Sequence, residues 1–126
     1  MKNFYLFLLM ICVTGAAFSQ ETDTVLTTEI DTASTLVIAE NQEAELAYNK
    51  GIENYKNRNL NAAIRNFSEA IRFKPDFAKA YFNRGSVKSE MKKYDEAMKD
   101  FTEAIKINDK MANAYYGRGL AKYKTS

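Results

Sequence analysis

Small and aromatic side chains recur along residues 44–126 at a fixed spacing of 34 positions. Gly51, Gly85 and Gly119 mark the same place in three successive segments. Further positions keep this register in two or three of the segments: Ala44/Ala78/Ala112, Ala63/Ala97, Phe67/Phe101 and Ala70/Ala104. A fixed period of this length is the sequence signature of stacked structural repeats. The pattern therefore predicts a short helical repeat protein.

Within each segment, apolar residues recur at intervals of three and four positions, which predicts amphipathic helices. Phe67 and Phe101 each have such apolar neighbours on one helical face. A coiled coil or a simple bundle is the alternative, but it requires sustained heptads rather than a 34-residue period. We expect helices near residues 42–57, 60–73, 77–91, 94–107 and 111–124.

The breaks between these helices carry turn and cap signals. Residues 57–59 and 92–93 are polar and predict the turns between paired helices. Pro75 is followed by Asp76, which predicts an N-cap for a helix that begins near Phe77.

The repeated segments resemble the tetratricopeptide repeat (TPR), a helix–turn–helix unit of 34 residues. Repeat 1 would cover residues 44–77, repeat 2 residues 78–111, and residues 112–126 would be the first helix of an unfinished third unit. The residues that carry the resemblance are Gly51, Ala63, Phe67, Ala70, Pro75, Tyr81, Gly85, Tyr94, Ala97, Phe101, Ala104, Tyr115 and Gly119. The resemblance implies an all-α, right-handed superhelical stack of antiparallel helix pairs with five helices. Lys50, Arg84 and Arg118 depart from the family pattern, which usually has Leu there.

The three glycines predict close contacts between helices. A glycine inside a helix costs about 0.8–1.0 kcal/mol relative to alanine, so three in register indicate a packing demand for a small residue. The positions predicted to pack the repeats are Gly51, Gly85, Gly119, Ala63, Ala97, Phe67, Phe101, Ala70 and Ala104. Gly119 would admit a partner helix that residues 112–126 do not contain. A truncated longer array, a relic, and a helix supplied by a second molecule remain open, and the last would make a homo-oligomer.

Residues 1–19 have the pattern of a bacterial-type secretory signal peptide, with a basic start, an apolar core at 4–13 and a small-x-small site at 17–19. The apolar stretch is shorter than the roughly 20 residues that span a membrane, so no stable span is expected after its removal. We expect an exported protein, periplasmic or extracellular. Lipid attachment at Cys12 is not expected, because the bulky Ile11 precedes it.

Residues 20–43 are acidic and rich in Thr, without Lys or Arg, and they predict a disordered tether. Residues 35–39 leave two alternatives, a short strand or an extension of the first helix. The Asp-Thr-apolar triplets at 23–25 and 31–33 resemble sites that some bacteria O-glycosylate. Residues 44–126 carry a net charge of +7, so the tether could also fold back on the domain and compete with a ligand.

The first helices of stacked pairs line a concave surface where repeat proteins bind. Tyr48, Phe82 and Tyr116 lie 34 residues apart and should stack as an aromatic row across this groove. Aromatic side chains offer apolar area with a polar tip, which suits peptide recognition. The predicted peptide-binding residues are Tyr48, Ile52, Tyr55, Phe82, Asn83, Tyr116, Leu120 and Tyr123. The alternative is that these side chains pack on neighbouring helices or on the tether.

Some TPR proteins hold a C-terminal carboxylate with Lys, Arg and Asn side chains in the groove. Asn83 matches one such position, but Tyr48, Ile52, Asn113 and Gly117 occupy the others and cannot supply positive charge. The resemblance therefore implies an apolar or aromatic-bearing segment as the ligand, rather than a chaperone-type carboxylate tail.

The composition argues against catalysis. The chain has no His and one Cys, at position 12, which removes the usual general base and the usual nitrogen and sulfur metal ligands. We predict no catalytic residue, cofactor or metal. The cations of the second helices alternate with Glu and form ordinary helix-surface pairs, so no nucleic acid partner is expected. The expected function is an exported, non-enzymatic adaptor that binds a protein or peptide; the alternative is a self-assembly module that associates through the incomplete third repeat.

Overall fold

The computed structural model describes the backbone of residues 17–126 and the side chains of residues 32–126. This part of the chain forms five α-helices and no strand: α1 (Ala17–Lys56), α2 (Leu60–Phe73), α3 (Ala78–Glu90), α4 (Tyr94–Ile107) and α5 (Ala112–Thr125). The predicted all-α architecture is confirmed, and α2 to α5 begin and end within one residue of the predicted bounds. The predicted signal peptide lies almost entirely outside the described residues.

Helix α1 begins at Ala17, well before the predicted start near residue 42, and it continues through residues 20–43, where the sequence predicts a disordered tether. No Gly or Pro occurs between residues 17 and 50, so this stretch contains no strong helix breaker. Every side chain from residue 32 to residue 43 is exposed, and burial begins at Ala44. The contacts divide the chain into two units, Met1–Ile38 and Ala39–Ser126. The limits of the tether stay a prediction.

The described helices include none that is both long enough and apolar enough to cross a membrane.

The two predicted turns within helix pairs share an unusual backbone conformation. Arg58 between α1 and α2 has φ 63°, and Lys92 between α3 and α4 has φ 62°. These two residues occupy the same position in the 34-residue period. Such left-handed conformations are uncommon for residues other than glycine. The turns are therefore equivalent in structure although their sequences differ.

The predicted Asp76 cap of α3 is wrong. Phe77 occupies the N-cap position, the helix begins at Ala78, and no side chain caps it. The Phe77 side chain is buried among Ala44, Ala47 and other core residues. Its burial in the core, rather than a polar cap, fixes where α3 starts.

The core of Ala39–Ser126 consists of alanines, Val87 and three phenylalanines, and two of these, Phe67 and Phe101, pack against glycines. The Phe67 ring lies so close to Gly51 that a Cβ there would be 2.6 Å from Phe67 Cε1. A Cβ at Gly85 would likewise be 3.1 Å from Phe101 Cε1. The buried residues in register are Ala63, Phe67, Ala70, Ala97, Phe101 and Ala104. The glycines at 51 and 85 thus let a first helix approach the phenylalanine of its paired second helix.

A buried ionic cluster joins the two helices of the second repeat, and its arginine also contacts the first repeat. Asp100, only 4% exposed, accepts hydrogen bonds from Arg84 Nη2 at 2.7 Å and Nε at 2.9 Å, and lies 2.9 Å from Lys88 Nζ. Arg84 Nη1 also donates to Ser68 Oγ at 2.9 Å, so it joins α2, α3 and α4. Bidentate arginine–carboxylate pairs of this kind are among the stronger polar contacts in proteins. Arg84 is therefore a packing residue, which explains its departure from the Leu of the family pattern.

Candidate peptide-binding groove

The predicted groove residues of α1 are engaged within the protein. The Tyr48 ring lies 4.9 Å from the ring of Phe77 and 5.7 Å from that of Phe67, centroid to centroid. Its hydroxyl accepts a hydrogen bond of 2.7 Å from Asn83 Nδ2. Burial raises the pKa of Tyr48 above its ordinary value of 10.0. Ile52 packs against the Phe67 cluster, so this part of the concave face is already filled.

A second set of hydrogen bonds joins α1 to α3 at the C-terminal ends of the two helices. The Tyr55 hydroxyl donates to Glu90 Oε1, and Arg58 Nη1 donates to Glu90 Oε2 at 2.9 Å. The hydrogen bond to Glu90 raises the pKa of Tyr55, and the same bond lowers the pKa of Glu90. The end of α1 is thereby tied to the end of α3.

The face between α3 and α5 forms an open groove of about 440 Å³. Phe82 forms part of its floor and packs on Ala97 and Phe101, with its ring 5.8 Å from that of Phe101. Tyr116 and Leu120 line the groove and are 74% and 41% exposed. The lining residues are Phe82, Ser86, Ser89, Glu90, Tyr94, Phe101, Asn113, Tyr116, Gly117, Leu120 and Lys124. This arrangement offers an apolar floor and wall with polar groups around them.

The structure thus separates the eight predicted groove residues into three groups. Those that line the groove are Phe82, Tyr116 and Leu120, and those that pack between α1 and α3 are Tyr48, Ile52, Tyr55 and Asn83. Tyr123 is exposed and does not line the groove. Where the structure describes side chains, the ring contacts of Tyr48 and Phe82 are with core phenylalanines, so the predicted continuous aromatic row does not form.

Eight of the eleven lining residues, Glu90 and Tyr94 among them, are outside the predicted peptide-binding set. The signal for Glu90 is an offset of 35 residues, which separates Tyr55 from Glu90 and also Tyr48 from Asn83. Two residues that are one period plus one residue apart can therefore form a hydrogen bond between consecutive first helices.

Gly117 opens the groove. It occupies the repeat position of Asn83, and a Cβ there would lie 2.7 Å from Phe101 Cζ. The glycine lets α5 approach Phe101 and leaves no side chain to reach back to α3. Among the side chains that the structure describes, no group of acidic, His or Cys residues is arranged to hold a metal ion.

Sequence profiles of repeat families match the helical repeats of the chain. A tetratricopeptide repeat profile covers residues 78–111, and a TPR repeat profile covers residues 51–92. The TPR domain of Arabidopsis OM64 is 30% identical over 68% of this chain and 71% of that domain, with a TM-score of 0.67. The chain belongs to the tetratricopeptide repeat family. Its fold is a TPR-like α-solenoid.

Two similar TPR structures are complexes. The first TPR of Spaghetti (RPAP3), bound to the HSP90 peptide SRMEEVD, is 26% identical over 68% of each chain, with a TM-score of 0.67. The TPR2B domain of yeast Sti1, in a pHsp70 complex, is 25% identical over 67% of each chain, with a TM-score of 0.65. No curated protein sequence matches the chain significantly.

Proposed function

We propose that this TPR protein is a non-enzymatic adaptor that binds an extended protein segment in the groove between α3 and α5. TPR domains are generally protein-interaction modules, and the peptide-bound neighbours support a protein ligand here. The observation that carries the proposal is the exposure of Tyr116 and Leu120 above Phe82, in a groove of about 440 Å³. Exposed aromatic and aliphatic side chains around a preformed cleft are typical of binding sites.

The chemistry of the groove favours an apolar or aromatic ligand side chain over a C-terminal carboxylate. Asn83, at a position where some family members hold a carboxylate, donates instead to Tyr48. Gly117 and Asn113 supply no charge, and Lys124 is the one cation that lines the groove. The proposed ligand inserts an apolar side chain beside Phe82 and Tyr116. The peptide SRMEEVD should therefore bind the full chain much more weakly than an aromatic-bearing peptide.

Tyr116 and Tyr123 provide a matched pair for the test. Both tyrosines lie on α5 and are about equally exposed, at 74% and 75%, but only Tyr116 lines the groove. Peptides selected on the full chain from a random phage-displayed library would be titrated against Tyr116→Ala and Tyr123→Ala. We expect Tyr116→Ala to weaken binding about tenfold, as for a central aromatic contact, and Tyr123→Ala to change it less than twofold. Equal losses, or a loss only with Tyr123→Ala, would remove the groove as the site.

We also propose that the protein is exported, as residues 1–19 predict. The support is the signal-peptide pattern described above. N-terminal sequencing of the mature protein from the native cell envelope should give Gln20 as the first residue. A protein that retains Met1 in the cytoplasm would contradict export without affecting the groove.

A further inference from the structure

The groove between α3 and α5 has a polar end as well as an apolar part, which contains Phe82 and Tyr116. Ser89 lies in the last turn of α3, Tyr94 is the first residue of α4, and Lys124 lies in the last turn of α5. All three line the groove. Because α4 begins where α3 ends, and α5 runs in the same direction as α3 in a stack of antiparallel pairs, the three residues form one end of the groove. We call them the polar end.

The polar end carries donor groups that the protein does not use. Among the side chains that the structure describes, no hydrogen bond or ion pair engages the hydroxyl of Ser89, the hydroxyl of Tyr94 or the ammonium group of Lys124. The neighbouring Ser86, by contrast, donates to the carbonyl of Phe82 on its own helix at 2.9 Å. The donors of the polar end are therefore available to a ligand.

The negative charge beside the polar end is already compensated. Among the described lining residues, Glu90 alone carries a carboxylate, and it accepts hydrogen bonds from Tyr55 and from Arg58. Three carbonyl groups in the last turn of α3 accept backbone N–H groups of residues 91–93. The two acidic residues in the first turn of α4 do not line the groove. The uncompensated charge at this end is thus the positive charge of Lys124.

We propose that the polar end binds the side-chain carboxylate of an Asp or Glu in the ligand. This inference rests on the proposed function, since the same ligand segment inserts its apolar side chain beside Phe82. Hydroxyl and ammonium groups donate hydrogen bonds, and an ionised carboxylate only accepts them, with two oxygens. The ligand is therefore an extended segment with an aromatic and an acidic residue, which occupy opposite ends of one groove.

The length of the groove sets the separation of these two ligand residues. Phe82 and Ser89 are seven residues apart on α3, which corresponds to about 10 Å along the helix axis. A segment in the polyproline II conformation advances about 3.1 Å per residue and returns to the same face every third residue. An acidic residue about three positions from the aromatic one would therefore reach the polar end on the same face.

The acidic residues 20–43 of this chain do not fit the proposed ligand. They contain Asp and Glu but no Phe, Tyr or Trp. They match the charge of the polar end and not the apolar part of the groove. The proposed ligand is therefore a segment of a different protein.

Lys124 and Lys122 provide a matched pair for the test. Both lie in the last turn of α5 and are exposed, but only Lys124 lines the groove. Peptides selected on the full chain from a random library, with amidated C-termini, would be titrated against Lys124→Met and Lys122→Met. We expect Lys124→Met to weaken binding about fivefold, as for a partly exposed ion pair, and Lys122→Met to have a smaller effect. Equal losses would indicate unspecific attraction and overturn the proposal.

The acidic residue of the peptide provides the second half of a double-mutant cycle. Replacing that Glu or Asp by Gln or Asn should weaken binding to the parent protein but cause little further loss with Lys124→Met, because the pair is already broken. Tyr94→Phe and Ser89→Ala remove only a hydroxyl, and they should weaken the acidic peptide more than its amide counterpart. Independent, fully additive losses would contradict a contact between the carboxylate and the polar end.

The aromatic contact of the groove separates this proposal from the proposed function. If Tyr116→Ala weakens binding and Lys124→Met does not, the groove remains the site and the carboxylate contact is overturned. Selected peptides without an acidic residue near the aromatic one would have the same meaning. Peptides that bind only with a free C-terminus would assign the polar end to a terminal carboxylate and overturn the side-chain assignment. A library that yields no groove binder would overturn both proposals.

Discussion

Tyr48 and Asn83 form a hydrogen bond between α1 and α3, whereas Phe82 and Gly117 occupy the same two repeat positions between α3 and α5. A phenyl ring and a glycine form no such bond, so the second pair leaves space where the first is joined. The Phe82 ring therefore forms part of the groove floor, and Gly117 leaves the groove open because it has no side chain. These two residue differences at equivalent positions remove a bond between first helices and help to open the groove.

The other cross-link differs in the same way. Tyr55 donates to Glu90 between α1 and α3, but the equivalent pair between α3 and α5 is Ser89 and Lys124. Both of these residues line the groove. The short hydroxyl and the cation do not reproduce the tyrosine–carboxylate bond. Within one repeat architecture, the first half of the concave face holds the helices together and the second half is available to a ligand.

Asp100 and Asn66, at equivalent positions on the second helices, provide the largest expected contrast. Asp100→Ala leaves the partly buried Arg84 without its carboxylate and Lys88 with only Glu96 at 3.7 Å, and it should lower the free energy of unfolding by about 3–5 kcal/mol. Asn66 accepts one hydrogen bond of 2.8 Å from Asn54 Nδ2. Asn66→Ala should therefore cost only about 1 kcal/mol. Urea denaturation of both variants measures the difference, and equal costs would contradict the distinction between an ionic and a neutral contact.

The glycines should respond to substitution with opposite signs. Gly51→Ala places a Cβ 2.6 Å from the Phe67 ring and should destabilise the fold by about 1–3 kcal/mol through overpacking. Gly119→Ala meets open space and should stabilise α5 by about 0.8–1.0 kcal/mol, the helix propensity difference. Thermal unfolding of the two variants provides the measurement. A destabilising Gly119→Ala would show that another group already covers this glycine.

These glycines also show how far the sequence could predict the structure. Gly51, Gly85 and Gly119 are identical in sequence and in register, and the period correctly predicted their helices. The sequence also predicted that residues 112–126 lack the partner helix of Gly119. The structure adds that a Cβ at Gly119 would meet nothing within 4 Å, whereas Gly51 and Gly85 lie against phenylalanine rings. A periodic pattern gives the position of a residue within its repeat, but its environment depends on which neighbouring helices are present.

Tyr48 and Tyr116 also differ in their surroundings although they are equivalent in sequence. Tyr48 and Tyr116 have the same residue type and repeat position, so the sequence predicted one role for both. Tyr48 has Phe77 and Asn83 as partners, whereas Tyr116 is 74% exposed. Their difference arises from side chains 29 to 35 residues away in the chain. Such contacts cannot be derived from the face of one helix, although the recurrent 35-residue offset gave a usable signal.

The Tyr55–Glu90 link between α1 and α3 predicts a pH dependence of the protein's stability. The pKa of Glu90 is lowered from 4.5 in the folded protein, chiefly by the Tyr55 hydrogen bond, so its stabilisation is present above pH 4.5 and is lost as the pH falls through the lowered pKa. The pKa of Tyr55 is raised from 10.0, chiefly by the bond to Glu90, so its stabilisation is present below pH 10 and is lost as the pH rises further. Tyr55→Phe should flatten both slopes of Tm against pH. Unchanged slopes would show that other groups cause them.

The two strained turns give the smallest expected effect and the finest comparison of the halves. Arg58 and Lys92 have nearly the same positive φ, and glycine adopts this conformation without the steric cost of a side chain. Lys92→Gly should therefore stabilise the protein by up to about 1 kcal/mol. Arg58→Gly gains the same relief but loses the pair of Arg58 with Glu90, in which the Arg58 side chain is 70% exposed. Exposed pairs contribute about 0.2–1 kcal/mol, so its net stabilisation should be smaller by that amount. Chemical denaturation of both variants in the Tyr55→Phe and parent backgrounds measures this difference. If Arg58→Gly stabilises the protein as much as Lys92→Gly does, the Arg58–Glu90 pair contributes nothing measurable to the contact between α1 and α3. That contact would then depend on the hydrogen bonds of Tyr48 and Tyr55.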